Sequence, residues 1–313
     1  MITKKSIPIS QVSWLAYSQS GTIDTFYEPE SKEELLELCQ ELYKQRADFE
    51  VIGHTTNIYF LPTYNADIIV STRRVKEVRI ARDYVEADCG ASVKALALKM
   101  VQEGVEGFEG LIDLPGTVAA AVYGNASCYG CSINDLLISF DVLRPDGSIV
   151  TLTKKDLALS KRSSSFKRGE QSGVILSVKL KRCFGNKEII QAKAEQNHQK
   201  RKTTQPPAQN NLGSIYRSSS SMTILGYLLK GVVGVYGFFV QSLGVHGDEL
   251  ARKKKYLTLS LIGARDLIPY VYSWNRFIWK DDNAHHLFWK FHRKHQLLFK
   301  NSDFEIEIKR NIR

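Results

Sequence analysis

The sequence predicts an α+β fold built from two or three sub-domains. Three observations carry that reading. Segments with strand periodicity and segments with helix periodicity mix without strict βαβ alternation. A stretch from Leu114 to Gly130 is rich in Gly, Ala and Pro, unlike either kind of segment. The chain has 313 residues, enough to bury more than one core.

The elements follow in order. Ser31 precedes Glu33, Glu34, Leu35, Leu36 and Leu38, which is a helix start with acids in its first turn. Phe49–Gly53 reads as a short apolar strand running into a glycine, and Ile68–Ser71, Val78–Ile80 and Tyr84–Gly90 as further strands. Val93–Glu103 is an amphipathic helix closed by Gly104. Ile138–Leu143, the turn Pro145-Asp146-Gly147 and the return strand Ser148–Leu152 form a hairpin. Lys154–Leu159 reads as a short helix, Gly173–Leu180 as a strong strand, and Lys187–Thr204 as a polar helix broken by Gln205-Pro206-Pro207. Ser218–Ser221 is a loose serine run, and Tyr270–His295, rich in aromatic and basic residues, looks helical.

Composition narrows the class. Apolar residues are 43% and charged residues 24%, ordinary for a soluble globular protein. The basic residues of Met1–Ser6 are followed by no apolar run, so a signal peptide is not expected. Five cysteines at scattered spacing (Cys39, Cys89, Cys128, Cys131, Cys183) argue against a disulfide framework and for a reducing compartment. The formal charge of +10 is concentrated late: residues 251–313 hold 14 Lys and Arg against 6 Asp and Glu. Such a face suits a nucleotide phosphate or anionic lipid, or is simply solvated. No nucleic-acid motif accompanies it, so no nucleic-acid partner is expected, and no metal site is expected either. Ile224–Val245 is long enough to span a membrane, but Lys230 and its five glycines favour a buried or membrane-surface segment.

Two segments suggest chemistry. Val51-Ile52-Gly53-His54-Thr55-Thr56-Asn57 ends a strand in a tight loop whose successive backbone N–H groups suit a pyrophosphate. Leu114-Pro115-Gly116-Thr117-Val118-Ala119-Ala120-Ala121-Val122-Tyr123-Gly124-Asn125-Ala126 has small side chains at most positions, which lets backbone approach something flat and large. No G-x-G-x-x-G follows a strand, so a Rossmann site is disfavoured. Together the two segments resemble the FAD-binding domain of the vanillyl-alcohol-oxidase/p-cresol-methylhydroxylase superfamily. More narrowly, the chain resembles the UDP-N-acetylenolpyruvoylglucosamine reductase (MurB) family. Further family motifs match in order at Lys161-Arg162-Ser163-Ser164-Ser165-Phe166, at Arg201–Tyr216 with Gly213-Ser214, and at Glu305-Ile306-Glu307-Ile308.

The resemblance implies a two-subdomain PCMH-type FAD-binding domain over 1–183, divided near 72/73. It also implies a smaller α+β substrate domain over 184–313. It implies FAD held by Gly53, His54, Thr55, Thr56, Asn57, Leu114, Pro115, Gly116, Thr117, Val118, Asn125 and Ile175. The activity implied is cytoplasmic reduction of an enolpyruvyl ether of a nucleotide sugar, with NADPH or NADH as reductant. Arg162 would bind the substrate carboxylate, Ser214 would donate the proton, and Glu307 would act as a second acid or polariser.

The sequence departs from the family in four places. The family's Gly-Gly in the flavin segment is Ala119-Ala120, and its Gly-Gly-Gly-Ser-Asn loop is Gly53-His54-Thr55-Thr56-Asn57. His54 stands where covalent members of the superfamily carry a histidine bonded to the flavin; a hydrogen-bonding or structural His54 is the alternative. Cys128-Tyr129-Gly130-Cys131 replaces small residues. From about residue 218 the substrate-domain block is rewritten, with Lys255–Ser260 and Gly263–Asp266 as its eroded counterpart. Two other classes therefore stay open at this point: a flavin oxidase of a sugar or aldonolactone, and a non-catalytic protein in peripheral contact with a membrane through 224–255.

Overall fold

The computed structural model describes residues 1–15, 21–207, 209–217 and 221–311. Ser218–Ser220 of the serine run, and Ala208 within Arg201–Tyr216, lie outside the described residues.

β1 (Ile2–Pro8) and β2 (Thr22–Glu28) pair antiparallel. α1 (Lys32–Lys44) follows, its first turn capped by the Ser31 hydroxyl, which accepts from the Glu34 amide at 3.1 Å. Then come β3 (Glu50–Ile52), β4 (Ile58–Phe60) and β5 (Ala66–Ser71). The first sheet has the order β1-β2-β5-β3, with β2, β5 and β3 parallel.

The second sheet is antiparallel. It draws on β6 (Val78–Ile80) and β7 (Tyr84–Asp88), which precede α2 (Val93–Gln102) and α3 (Val118–Tyr123). A short pair, β8 (Ser127–Cys128) and β9 (Cys131–Ser132), leads into α4 (Ile133–Leu136). β10 (Leu137–Leu143), β11 (Ile149–Leu152) and β12 (Val174–Lys181) complete the order β11-β10-β12-β7-β6. α1 joins the two sheets. Its Leu35, Cys39 and Leu42 pack with Val70 of the first sheet and with Leu143, Val174 and Leu176 of the second. Their burial ties the strands that carry the site into one unit.

α5 (Lys187–Thr204) spans the predicted range, and its Ile190 and Ala194 join the core of the second sheet. α6 (Ile224–Ser242) and α7 (Gly247–Leu261) form a helical hairpin. β13 (Val271–Ser273), β14 (Arg276–Phe277), α8 (Ala284–Leu298) and β15 (Glu307–Lys309) close the chain. Here an aromatic core gathers, with Tyr216, Phe277, Trp279, Phe288 and Phe291 fully buried and Tyr59 contributed by β4. β15 runs parallel to β4, so the end of the chain returns to the first sub-domain.

The expectation of helix over Tyr270–His295 is corrected: helix begins only at Ala284, and Val271–Phe277 is a small hairpin. The reason is local. The Asn275 side chain caps the Tyr216 backbone at both N (2.6 Å) and O (3.0 Å), which requires a turn at 273–276. The expected helix Lys154–Leu159 is one 3₁₀ turn over Lys154–Leu157, ended by Ala158 at φ 42°. β1, β2 and α7 were not anticipated.

Candidate active site

β3 delivers the chain into the loop Gly53–Asn57. A Cβ on Gly53 would stand 2.7 Å from the Thr117 hydroxyl oxygen, so glycine is what lets the loop touch the second segment. Thr55 sits at φ 54°, buried, accepting from the Trp14 amide (2.8 Å) and donating to the Val12 carbonyl (2.9 Å). Its side chain therefore holds the loop shape and leaves the backbone to face the cavity. Burial, then the nearby Arg73 charge, pushes the His54 imidazole below its usual range.

The second segment turns at Gly116 (φ 113°) and enters α3, capped by Thr117, whose hydroxyl accepts from the Ala120 amide at 3.3 Å. Val118 is fully buried beneath. Asn125 (φ 48°) donates to the Ser160 carbonyl at 2.8 Å and accepts from Asn134 at 3.1 Å. This fixes the exit of α3 against the turn that carries Arg162.

Two cavities flank this segment. One, of about 440 Å³, is lined by Gly53, His54, Thr55, Ile175 and Glu307 among others. The second, of about 650 Å³, is lined by Leu114, Pro115, Arg162, Ser214 and Glu305 among others. They share Thr56, Asn57, Gly116, Thr117, Ala120 and Gly124 as walls, so they adjoin as one slot. The second cavity carries Arg162, Lys167, Arg201 and Arg276 against Asp135 and Glu305, a cationic balance suited to diphosphate and carboxylate.

Arg162 occupies a left-handed turn position (φ 57°) and its Nε lies 3.2 Å from Glu305 Oε1. Burial, opposed by Arg162 and Lys167, pushes the Glu305 carboxyl above the usual range. Lys167 donates to the Glu305 carbonyl at 2.9 Å and approaches Glu307 Oε1 at 3.9 Å; burial pulls its ammonium below the usual range. Ser214 follows Gly213 (φ 75°). The next residue, Ile215, is held by the Asn275 carbonyl (3.0 Å) and accepts from the Glu305 amide (2.7 Å). The structure thus brings Arg162 and Ser214 to one cleft with Glu305, and sets Glu307 in the neighbouring cavity.

Comparison with known proteins gives a consistent result. A family model described as an FAD binding domain matches residues 23–153. A UDP-N-acetylenolpyruvoylglucosamine reductase of Fervidobacterium nodosum is 29% identical over 261 residues, 82% of this chain and 82% of that one. One of Carboxydothermus hydrogenoformans is 30% identical over 199 residues, covering 63% and 65%. The crystal structure of UDP-N-acetylenolpyruvylglucosamine reductase from Thermus caldophilus superposes with a TM-score of 0.67 over 99% of this chain and 100% of that one. At 16% identity that likeness speaks to the fold.

The chain is a divergent member of the UDP-N-acetylenolpyruvoylglucosamine reductase family.

With the FAD binding domain it is an FAD-dependent oxidoreductase. The residues present fit the cofactor. Ala120 and Gly124 offer almost no side chain toward the slot, and a Cβ on Gly116 would meet only Thr56 within 4 Å. Ala119 and Ala120 in place of the reductase family's paired glycines leave α3 intact and the wall thin.

The Cys128-Tyr129-Gly130-Cys131 departure reads as structural. Tyr129 and Gly130 make the β8–β9 turn at φ 46° and 80°. Cys131 Sγ accepts from the Gly110 amide at 3.3 Å, and burial pushes both the Cys128 and Cys131 thiols up, away from reactive thiolate.

Sequence reasoning missed Glu305, Lys167 and Asn275. The first was within reach, because Glu305 belongs to the same Glu-x-Glu motif as Glu307. The other two act through backbone carbonyls and amides, for which side-chain motifs carry no signal.

Proposed function

We propose that the protein reduces the enolpyruvyl ether of a UDP-amino sugar to a lactyl ether, as its relatives' names describe for UDP-N-acetylenolpyruvoylglucosamine. The observation that carries this is the convergence of Arg162, Ser214 and Glu305 in a cationic cleft that adjoins the flavin slot. FAD held along Gly53–Asn57 and Leu114–Val118 would supply the hydride for one vinyl carbon, with NADPH or NADH as the reductant. The other reading of the fold, an oxidase, does not need a proton-donating serine so placed.

In this proposal Arg162 binds the substrate carboxylate and stabilises the negative charge that develops on it. Ser214 holds its hydroxyl proton over the other vinyl carbon. Glu305 neutralises Arg162 before substrate arrives. Burial pushes the Glu305 carboxyl above the usual range, against the pull of Arg162 and Lys167, which suits it to the second acid's role. The resemblance assigns the second acid to Glu307; the cleft geometry favours Glu305. Gly53–Asn57, Leu114–Val118, Asn125 and Ile175 form the cofactor slot, His54 through hydrogen bonding or packing. The FAD-binding domain is taken as residues 1–183 and the substrate domain as 184–313. The same reading places the enzyme in the cytoplasm, in peripheral contact with a membrane through residues 224–255.

Paired substitutions test the assignment. Glu305→Gln is expected to lower turnover by about 10²-fold or more while anaerobic flavin reduction by NADPH persists. Unimpaired turnover in Glu305→Gln with collapse in Glu307→Gln would return the role to Glu307.

A further inference from the structure

α6 is inverted relative to an ordinary surface helix. Gly226, Val233, Gly237 and Val240 form its buried stripe. A Cβ on Gly226 would overlap the Leu298 backbone carbonyl, so the small residue is what lets the end of α8 lie close. The large apolar residues point the other way: Ile224 is 82% exposed, Val235 74% and Phe238 78%, with Tyr227, Leu228 and Phe239 each at least 60% exposed. These positions fall on one side of the helix at 3.6 residues per turn. Among the described residues, this is the one helix long and apolar enough to cross a membrane, and 17% of its window is buried. A contiguous apolar face of this size is not left to water without a use.

The surroundings of that face choose its occupant. Behind it, between α6, α7 and the end of α8, lies a cavity of about 910 Å³ that Gly226 and Val233 of the buried stripe also line. Val233, Trp274 and Phe299 line its apolar part; Lys230, Arg252 and Lys254 line it as cations. Asp248 is the acid among its lining residues. Thr203 and Thr204, in the last turn of α5, also border it, whereas Arg201 and Gln205 of the same segment border the catalytic cleft. An apolar helix face backed by a layer of lysine and arginine matches the layering of a bilayer, with acyl chains below anionic headgroups. The exposed side chains named above bear no polar group but the Tyr227 hydroxyl, which suits acyl chains.

We propose that the exposed face of α6 lies in the headgroup boundary of an anionic membrane, with Lys230 and Arg252 on lipid phosphates. This deepens the membrane contact proposed above and does not depend on the reduction chemistry. The helix keeps its packing on α7 and lies along the surface. Docking so sets the catalytic cleft close to the lipid surface, on the other side of the α5 terminus.

Co-sedimentation of the full-length flavoprotein with vesicles tests it. Mixed phosphatidylcholine–phosphatidylglycerol vesicles should pellet the protein, pure phosphatidylcholine vesicles should do so far less, and salt should weaken the binding. The double substitution Phe238→Glu/Phe239→Glu should cut the partition at least tenfold, with flavin absorbance and turnover of soluble substrate unchanged. Lys230→Glu/Arg252→Glu should remove the preference for the anionic lipid. Equal binding to neutral vesicles would overturn the anionic assignment. Absence of vesicle binding, together with a dimer that Phe238→Glu/Phe239→Glu dissociates, would overturn the proposal and assign the face to a second copy. Loss of turnover with vesicle binding intact would instead count against the reductase reading.

Discussion

The flavin slot and helix α6 use small residues in opposite directions. At the slot, Gly116, Ala120 and Gly124 face a cavity, while Val118, Ala121 and Val122 face the core. On α6, Gly226 and Gly237 face the core, while Ile224, Val235 and Phe238 face outward. In the first region the missing side chains leave room for a ligand that must come close. In the second they let two helices approach so that a large apolar face is turned toward an external surface. Where the small residues point tells which side of an element expects a partner, and of what kind.

The largest expected effect tests whether the slot serves reduction. Ser214→Ala should bleach normally with NADPH under anaerobic conditions yet lose about 10²- to 10⁴-fold in turnover. Stopped-flow measurement of the two half-reactions separates these, and normal reoxidation by substrate would remove the role from Ser214.

Paired glycine substitutions probe the comparison itself. Gly53→Val drives a side chain into Thr117, and Gly237→Val drives one into Lys254. The first should release flavin and destabilise by about 1–3 kcal/mol, the usual cost of overpacking. The second meets only the flexible end of Lys254, so it should cost less and leave the flavin spectrum unchanged. Flavin loss from Gly237→Val, read by absorbance after gel filtration, would show that the two regions are not independent.

Acid should act on the C-terminal aromatic core before the slot. Burial pulls His295 down to about 3 and His285 down to about 4, against an ordinary value of 6.5. A folded-state value below the unfolded one means the unfolded chain binds protons first. The stability these neutral rings support is therefore full above pH 6.5 and is lost as pH falls toward 3–4. Each ring steepens the loss by about 1.4 kcal/mol per pH unit within its window. Chemical denaturation followed by tryptophan fluorescence should show this slope, and His295→Gln should reduce it.

The smallest effect concerns the cap of α3. Thr117→Ala removes the hydroxyl that accepts from the Ala120 amide and should cost about 1 kcal/mol, with weaker flavin retention. Calorimetry would detect it.

The slot was legible in the sequence because its requirements are local. A thin wall needs small side chains, a capped turn needs Thr117 after Gly116, and the helices at Ser31 and Lys187 announce themselves by caps and periodicity. What the sequence did not disclose depends on distant partners. Asn275 holds the backbone beside Ser214 from 59 residues away. Lys167 reaches the Glu305 carbonyl across 138 residues. The hairpin at Val271–Phe277 carries aromatic residues that suit helix and strand alike, and the tertiary contact to Tyr216 decides between them. Glu305 and Glu307 sit two apart, and a bend at residues 305–306 sends them to different cavities, so pattern alone could not say which meets Arg162.

The central claim is that one slot joins a flavin to a cleft built for an enolpyruvyl ether. Anaerobic titration of the purified protein tests it most directly. The expected result is a flavin absorbance band that NADPH bleaches and UDP-N-acetylenolpyruvoylglucosamine restores, with a lactyl-ether sugar formed in equal amount. A flavin that NADPH bleaches but only O₂ restores, or a protein without flavin absorbance, would contradict it.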